Sequence, residues 1–340
     1  MGEQINTRKT EHIQLSLNDS SVDRRQSGYD SIRLIHRALP ELSLEEIDPS
    51  VTFLGKRLAF PLIISSMTGG DSTLMKTINQ NLAVAAERCG IGLAVGSQRI
   101  TYTAANAEPA FQLRQFAPTT LILSNLGAVQ LNYGFDTAMC RKLVESIGAD
   151  GLFLHLNPLQ EAIQPEGDTD FSNLAAKIKT IQDALPFPVL VKEVGCGMSP
   201  ADVERLAACG IRHIDLSGRG GTSWSRIESF RSDDNRELGL KFQDWGLTTV
   251  ESLKLNKKFS EKINFIAGGG LRSGIDLAKS VLLGAKVGSC ALPFLQAATE
   301  SSDKVIDRIN QLKKEFVTTM FLLGARNIQQ LRDNADSYIV

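Results

Sequence analysis

The pattern of hydrophobic and polar positions repeats along the chain as an apolar run, then polar or Gly-rich residues, then a stretch with helical periodicity. Apolar runs lie at 61–67, 91–97, 120–127, 150–157, 188–195, 212–218, 263–270 and 286–292. Stretches with helical spacing lie at 72–88, 136–147, 169–184, 200–208 and 273–283. Ser199 and Ser273 stand where helix N-caps are expected, and Pro200 suits a first helical position. The pattern therefore predicts repeated strand and helix units.

Strands that are apolar along their whole length are typical of a parallel sheet covered by helices. Eight such units predict a (β/α)8 TIM barrel. The alternative is a doubly wound sheet, which would normally carry a G-x-G-x-x-G turn after its first strand, where this chain reads "SSMTGGD".

The domain boundaries follow from this repeat. Residues 1–55 precede the first barrel strand, and we expect a polar N-terminal arm and helices that pack on the barrel formed by 56–340. The segment 219–262 after strand 6 is too long for an ordinary link, which predicts a lid-like insertion. Trp224 within it is an anchor for the lid or a packing residue. Its charged run 231–237 indicates a solvated face or a subunit contact.

Composition limits the classes of partner. With 37 basic and 38 acidic side chains, the chain has no global field that attracts nucleic acid or an anionic membrane. Its five cysteines are scattered without metal-ligand spacing, which is typical of a reduced, cytoplasmic protein. The N-terminus lacks the apolar region of a secretory signal, and the apolar runs are shorter than the roughly 20 residues of a membrane helix. We expect neither nucleic acid nor membrane as a partner.

The predicted strands end in polar residues and glycines, where active sites of this fold gather. Backbone N–H groups of Gly268, Gly269 and Gly270, helped by Arg272, can approach a phosphate closely. Glycines and Thr222 after strand 6 offer a second set of donors. These features predict a phosphate-bearing cofactor across strands 6 to 8.

The residues alone leave the roles of two polar features undecided. Lys192 lies in the apolar run "PVLVKEVG" and either faces the barrel mouth, beside a flavin ring, or pairs with a carboxylate such as Glu193. The cluster "HLNPLQE" at 155–161 is either a satisfied loop at the edge of the core or one wall of a reactive site.

Ordered motifs along the chain carry a family resemblance. They read "RKTEH" at 8–12, "SSMTGG" at 65–70, "GSQR" at 96–99, "SNLGA" at 124–128, "HLNPLQE" at 155–161, "VKEVGCG" at 191–197, "GGTSW" at 220–224 and "AGGGLRSG" at 267–274. In this order, over residues 8 to 330, the chain resembles type 2 isopentenyl diphosphate isomerases.

The resemblance implies an FMN-dependent barrel that interconverts isopentenyl and dimethylallyl diphosphate without net redox change, with Mg2+ and with NADPH keeping the flavin reduced. It also implies a homotetramer or homo-octamer, and a role for the flavin N5 in proton transfer. The FMN contacts it implies are Ser66, Met67, Thr68, Ser97, Asn125, Lys192, Ser217, Thr222, Gly268, Gly269, Gly270, Arg272, Cys290, Ala291 and Leu292.

The same resemblance implies the roles of the remaining site residues. Gln160, His155 and Glu161 are the catalytic candidates, and Glu161 is also the Mg2+ ligand. A single carboxylate is sufficient when phosphate and water complete the shell. The substrate contacts it implies are Arg8, Lys9, His12, Ser97, Gln98, Arg99, His155, Asn157 and Gln160.

Three alternative functions would require other residues than those present in this chain, or fewer of them. Enzymes that oxidise 2-hydroxy acids with FMN on a similar barrel carry a histidine base and an arginine clamp after strand 6. At that place this chain reads "SGRGGTSW", without histidine. Chemistry like that of inosine monophosphate dehydrogenase needs a nucleophilic cysteine in the strand 6 loop, which carries none. A non-catalytic flavin- or phosphate-binding module would not require Arg8, Lys9, Gln160 and Glu161 together.

Overall fold

The computed structural model describes residues 2–67, 69, 72–103, 105–231 and 233–340, with side chains of 2–6, 105 and 106 left aside. Eight parallel strands form a closed barrel, in which each strand pairs with the next and the last pairs with the first. These strands are β3 (Leu62–Ile64), β4 (Gly92–Ala94), β5 (Ile122–Gly127), β6 (Gly151–Leu156), β7 (Val189–Glu193), β8 (His213–Asp215), β9 (Asn264–Ala267) and β10 (Ala285–Cys290). The barrel prediction is confirmed, and the doubly wound alternative is excluded.

Helices surround the barrel, and several begin at the N-caps that the sequence predicted. They are α1 (Gly2–Asn18), α2 (Thr73–Cys89), α3 (Thr137–Ser146), α4 (Pro158–Ile163), α5 (Leu174–Ala184), α6 (Pro200–Ala208), α7 (Trp224–Ser229), α8 (Arg236–Lys241), α9 (Thr249–Asn256), α10 (Gly274–Leu282), α11 (Leu292–Glu300), α12 (Ser302–Leu323), α13 (Ile328–Asp333) and α14 (Ala335–Tyr338). Ser199 Oγ accepts from the Asp202 N–H (3.2 Å), and Ser273 Oγ from that of Asp276 (3.0 Å). The helix predicted at 169–184 begins only at Leu174, because Asn173 has left-handed backbone (φ 51°).

Two hydrophobic cores hold the layers together. The larger lies between the strands and the outer helices, and the smaller fills the barrel interior. A short antiparallel pair, β1 (Val51–Phe53) and β2 (Lys56–Leu58), closes the N-terminal end, because Phe53 and Leu58 pack against interior residues such as Phe153. The opposite end, where the strands finish, is left open for a site.

The N-terminal segment is more ordered than a polar arm. It forms α1, whose Ile13 is buried and whose Leu17 packs on the core. The helix contacts α7, which comes after β8, and α11, which follows β10. The segment 219–262 carries the short helices α7, α8 and α9. Among the described residues, no helix combines the length and apolar character needed to cross a bilayer.

Candidate active site

A pocket of about 650 Å³ lies at the C-terminal end of the barrel, beneath α1. Every barrel strand delivers at least one lining residue at its end: Ser66, Ser97, Asn125, His155, Lys192, Ser217, Gly269 and Ser289. Residues on α1, including Arg8, Lys9 and His12, form the opposite wall. The pocket is large enough for a nucleotide-sized ligand together with a smaller one.

Glycines after β9 shape one end of the pocket. Gly269 (φ 90°) and Gly270 (φ 75°) have left-handed backbone and line the pocket. A Cβ on Gly269 would lie 2.0 Å from the carbonyl oxygen of Gly218, so the close approach of two loops requires glycine. Gly268 departs from the prediction, because its N–H already donates to Asp215 Oδ1 (3.1 Å) and it lies below the pocket.

The same end of the pocket is cationic. Arg272 lines it and is held by Asp23 Oδ1 and by the carbonyl oxygens of Gly220 (2.7 Å) and Gly270 (2.8 Å). Arg308 on α12 joins it and donates to the Arg272 carbonyl oxygen (2.7 Å). These two guanidinium groups suit an anionic group.

The N-terminus of α11 completes this end of the pocket. Cys290, Ala291 and Leu292, where β10 leads into α11, line the pocket. Burial raises the pKa of the Cys290 thiol to about 12, so the thiol is neutral. Helix N-termini favour anions, which adds to the effect of the two arginines.

Asp215 organises the floor of the site. This fully buried carboxylate, at the end of β8, accepts from Ser217 N–H (3.0 Å), Ser217 Oγ (2.8 Å), Gly268 N–H (3.1 Å) and Ser289 Oγ (2.9 Å). Burial raises its pKa, and Lys192 and these donors oppose that rise. Asp215 therefore fixes three strand ends below the pocket, and sequence reasoning did not single it out.

Lys192 faces the pocket, and its Nζ donates to the backbone carbonyl of Glu193 (2.7 Å). The Glu193 carboxylate is engaged elsewhere, because its Oε2 accepts from the N–H groups of Val194 (2.7 Å), Gly195 (2.6 Å) and Cys196. Burial lowers the pKa of Lys192 and raises that of Glu193 to about 7. Of the two readings left open, the structure supports the lysine that faces the barrel mouth.

Asn125 and His155 form a pair on neighbouring strands. Asn125 Nδ2 donates to the Val95 carbonyl oxygen (3.1 Å), which turns its Oδ1 toward His155 Nδ1 (2.8 Å). Gln98 lies behind this pair, fully buried, and accepts from Ser124 Oγ and donates to the Leu143 carbonyl oxygen (3.1 Å). Gln98 is not among the residues that line the pocket, since its side chain supports β5 from within the core, and its contact with substrate stays a prediction.

The "HLNPLQE" cluster forms the wall opposite the glycines. Pro158 starts α4, which turns Gln160 and Glu161 over the mouth. Asn157 Nδ2 donates to Gln160 Oε1 (3.1 Å) and to Glu161 Oε1 (2.8 Å). Burial raises the pKa of Glu161, while the N–H of Asp168 (2.7 Å) opposes the rise. The cluster is therefore a preorganised polar wall.

Three cations from two elements converge near this wall. Lys9 Nζ donates to the Ser97 carbonyl oxygen (2.9 Å). Arg8 lies 3.7 Å from Glu166, and Arg99 pairs with Asp168 (2.5 Å). Burial, followed by Arg8 and Arg99, lowers the pKa of Lys9 to about 7. Such crowding of positive charge is costly without an anion, which points to an anionic ligand.

Two buried polar atoms point to ligands, since neither Ser66 Oγ nor Asn157 Oδ1 has a hydrogen-bond partner within the described part of the chain. Met67 and Thr222 also line the pocket. Thr68, a predicted FMN contact, lies outside the described residues. In the described ranges, no cluster of three or more His, Cys, Asp or Glu side chains has metal-binding geometry.

Glu228 and Arg231 lie behind the pocket wall, and sequence reasoning missed both. Gln160 Nε2 donates to Glu228 Oε1 (2.8 Å), and His12 Nε2 lies 3.0 Å from the same oxygen. The His12 ring also packs edge-on against Trp224 (5.2 Å between centroids), so Trp224 anchors α1. Arg231 is nearly buried, which corrects its placement on a solvated face, whereas Asp233 and Glu237 in the same run are exposed.

Comparisons with known proteins show the family of the chain. The family of FMN-dependent dehydrogenases matches residues 3–152 and 156–337. The isopentenyl-diphosphate delta-isomerase of Hydrogenovibrio crunogenus is 51% identical over 338 residues, which is 99% of this chain and 98% of that protein. The isomerase of the same name from Paracoccus zeaxanthinifaciens is 50% identical over 335 residues, covering 96% of this chain and 95% of that protein.

Solved structures share the fold at much lower identity. An oxidised active mutant of (S)-mandelate dehydrogenase superposes with a TM-score of 0.69 at 16% identity, over 100% of this chain and 98% of that one. A mutant flavocytochrome b2 with pyruvate bound gives 0.67 at 19% identity, over 98% and 83%. These likenesses support the barrel alone, whereas the full-length matches above identify the group. The chain belongs to the type 2 isopentenyl-diphosphate delta-isomerases, within the family of FMN-dependent dehydrogenases.

Proposed function

We propose that this protein interconverts isopentenyl diphosphate and dimethylallyl diphosphate, with reduced FMN and Mg2+ bound in the barrel pocket. The observation that carries the proposal is one pocket with two distinct ends. One end joins Gly269 and Gly270 to the N-terminus of α11, and the other joins Arg8, Lys9 and Arg99 to Gln160 and Glu161. A nucleotide cofactor suits the first end and a small diphosphate the second.

The residues present fit FMN. The glycine backbone and Arg272 would hold its phosphate, Asn125 and the partnerless Ser66 Oγ offer polar contacts, and Lys192 would place a cation beside the ring. When bound and reduced, FMN supplies an acid and base group next to the substrate double bond. We also propose NADPH as its reductant and a homotetramer or homo-octamer as the assembly.

The opposite wall fits Mg2+ on a diphosphate. Glu161 lines the pocket, and the partnerless Oδ1 of Asn157 stands beside it. One carboxylate with phosphate oxygens and water is an ordinary Mg2+ shell. Arg8, Lys9 and Arg99 would neutralise the remaining diphosphate charge.

The isomerisation adds a proton to one end of the double bond and removes another from the carbon beyond it, so no electrons are gained or lost. Gln160 is placed to orient the reacting carbons, because Glu228 and Asn157 fix both ends of its amide. Helix α1 covers the pocket and excludes water from the carbocationic path. His155 would contact the substrate through Nε2, because its Nδ1 is hydrogen-bonded to Asn125 Oδ1.

Oxidation of 2-hydroxy acids is the competing function, and the segment after β8 argues against it. Arg219, the arginine of "SGRGGTSW", donates to Gln26 Oε1 (2.9 Å) at the surface and does not line the pocket. The test is an anaerobic assay with FMN, NADPH, Mg2+ and isopentenyl diphosphate. Formation of dimethylallyl diphosphate is expected, and bound flavin without that product would contradict the proposal.

A further inference from the structure

Arg231 links three separate elements behind the pocket wall. Its Nε donates to Glu11 Oε2 on α1 (2.8 Å), and its two terminal nitrogens donate to Glu228 Oε2 (2.7 Å) and to Glu166 Oε1 (2.9 Å). The side chain is 10% exposed and does not line the pocket. A planar guanidinium is suited to three carboxylates in fixed directions, which a lysine cannot satisfy at once.

Of the three carboxylates that Arg231 contacts, the most buried is Glu228, which also bonds to Gln160. Glu228 is fully buried, with Oε2 on Arg231 and Oε1 facing both Gln160 Nε2 and His12 Nε2. Because Glu228 accepts and Asn157 Nδ2 donates, the Gln160 amide has one orientation that satisfies both partners. Loss of Arg231 would leave a buried carboxylate short of its charge partner.

The same guanidinium also ties down the helix that covers the pocket. Glu11 lies on α1 between Arg8 and Lys9 on one side and His12 on the other, so a tether at Glu11 fixes the cations of α1 over the pocket. Glu166 in turn lies 3.7 Å from Arg8, which extends the network to a residue proposed to bind diphosphate. Arg231 therefore contacts both α1, which covers the pocket, and Glu228, which holds the Gln160 amide.

We propose that Arg231 is a positioning residue for the isomerisation, coupling closure of α1 over the substrate to the orientation of the Gln160 amide through Glu228. This inference rests on the proposed function, because it assigns a purpose to the placement of Gln160. Arg231 itself never meets the substrate. It acts through Glu228 on one side and through Glu11 on the other.

The pH dependence of kcat distinguishes this positioning role of Arg231 from a purely structural one. The charged or titratable groups that face Glu228 are His12 from α1 and Arg231 from its own segment, while Glu11 and Glu166 face Arg231. Burial raises the pKa of Glu228, but His12, Gln160 and Arg231 together lower it to about 2. Without Arg231 this pKa rises, so Glu228 takes up a proton at a higher pH and then offers Gln160 only an uncharged carboxyl oxygen, which is a weaker acceptor.

The experiment compares Arg231→Gln, Arg231→Lys and Glu11→Gln in the anaerobic FMN-loaded enzyme, with kcat, KM, the pH profile of kcat and FMN affinity as readouts. For Arg231→Gln we expect kcat to fall at least about tenfold, with the acid limb of the profile moved to higher pH. Glu11→Gln loses the tether alone, so KM rises and the pH profile is unchanged. Arg231→Lys keeps the acid limb in place and loses part of kcat.

Folding is checked by circular dichroism and by FMN content, and Arg231→Lys keeps the test valid if Arg231→Gln fails to fold. An unchanged pH profile and kcat in Arg231→Gln overturn the inference. A change in KM alone, equal to that of Glu11→Gln, also overturns it, since Arg231 would then be a tether and nothing more. A wild-type protein without isomerase activity would instead contradict the proposed function.

Discussion

Asn125 Oδ1 lies 2.8 Å from His155 Nδ1, and this contact fixes the protonation of the histidine. Because Asn125 Nδ2 is used by the Val95 carbonyl, its oxygen must accept, so Nδ1 carries the proton. Burial, followed by Lys192, Lys9 and Arg8, lowers the pKa of His155 to about 3. His155 is therefore a neutral ring whose Nε2 is a bare acceptor.

We accordingly expect His155 to remain neutral at pH 5 in the ligand-free protein, with the proton on Nδ1. The measurement is ¹⁵N imidazole NMR, assigned with a His155→Gln variant. Asn125→Asp would place a carboxylate on Nδ1 and raise the pKa of the ring. A wild-type ring that titrates between pH 6 and 7 would refute the lowered pKa, and a neutral ring with its proton on Nε2 would refute the tautomer assignment.

Lys9 should make substrate binding depend on pH. With its pKa lowered to about 7, Lys9 is an ammonium below that pH and neutral above it in the free protein. Diphosphate favours the ammonium, so binding at pH 8 takes up a proton and weakens by up to about tenfold per pH unit above 7. Calorimetry in two buffers of different ionisation enthalpy measures that uptake. Lys9→Arg keeps its charge and serves as the control, with little uptake expected; absence of uptake in the wild-type protein would count against the assignment.

Glu161→Gln should separate metal binding from cofactor binding. The amide keeps the size of the side chain and removes the charge that a hard cation needs. We expect Mg2+-dependent turnover to fall at least about a hundredfold, while the absorbance of bound FMN is unchanged. Asp170→Asn, which lies farther along the same loop, is exposed and does not line the pocket, is the acidic control. Equal loss of FMN would show that Glu161 is structural instead.

Asp215→Asn should weaken FMN binding, although Asp215 acts on the strand ends below the pocket and not by contact with the flavin. Four donors converge on Asp215, and an amide can accept only part of them, which leaves buried groups unsatisfied at roughly 1 to 3 kcal/mol each. We expect FMN affinity to fall at least about tenfold and the melting temperature to drop. Ser289→Ala removes one of the four bonds and should show a smaller effect. FMN affinity equal to wild type in Asp215→Asn would refute the role of this carboxylate.

The barrel could be predicted from sequence because its strands are apolar along their length and its helices begin at local caps such as Ser199 and Ser273. Strand ends are also local, so residues such as Lys192 and Asn125 were placed correctly at the mouth. The inward direction of the Gln98 side chain could not be predicted, because Gln98 lies in a 3-10 turn, where no alternation tells which side a residue faces.

Other residues escaped because their partners are distant in the chain. Arg231 contacts Glu11 and Glu166, which lie 220 and 65 positions away, and its neighbours in the charged run are solvated. Asp215 looked like part of an ordinary strand end, although its donors come from β9 and β10 as well. Helix α1 has few apolar residues, so its folding depends on contacts at the barrel mouth that local periodicity does not report.

The most direct test measures, in one anaerobic sample, how much dimethylallyl diphosphate forms per flavin and whether the flavin stays reduced. Wild-type protein with photoreduced FMN, Mg2+ and ¹³C-labelled isopentenyl diphosphate is followed by NMR and by flavin absorbance. Because the proposed reaction moves protons and no net electrons, many molecules of dimethylallyl diphosphate should form per flavin while the flavin stays reduced. One product per flavin with reoxidation of the ring, or no dimethylallyl diphosphate at all, would contradict the account.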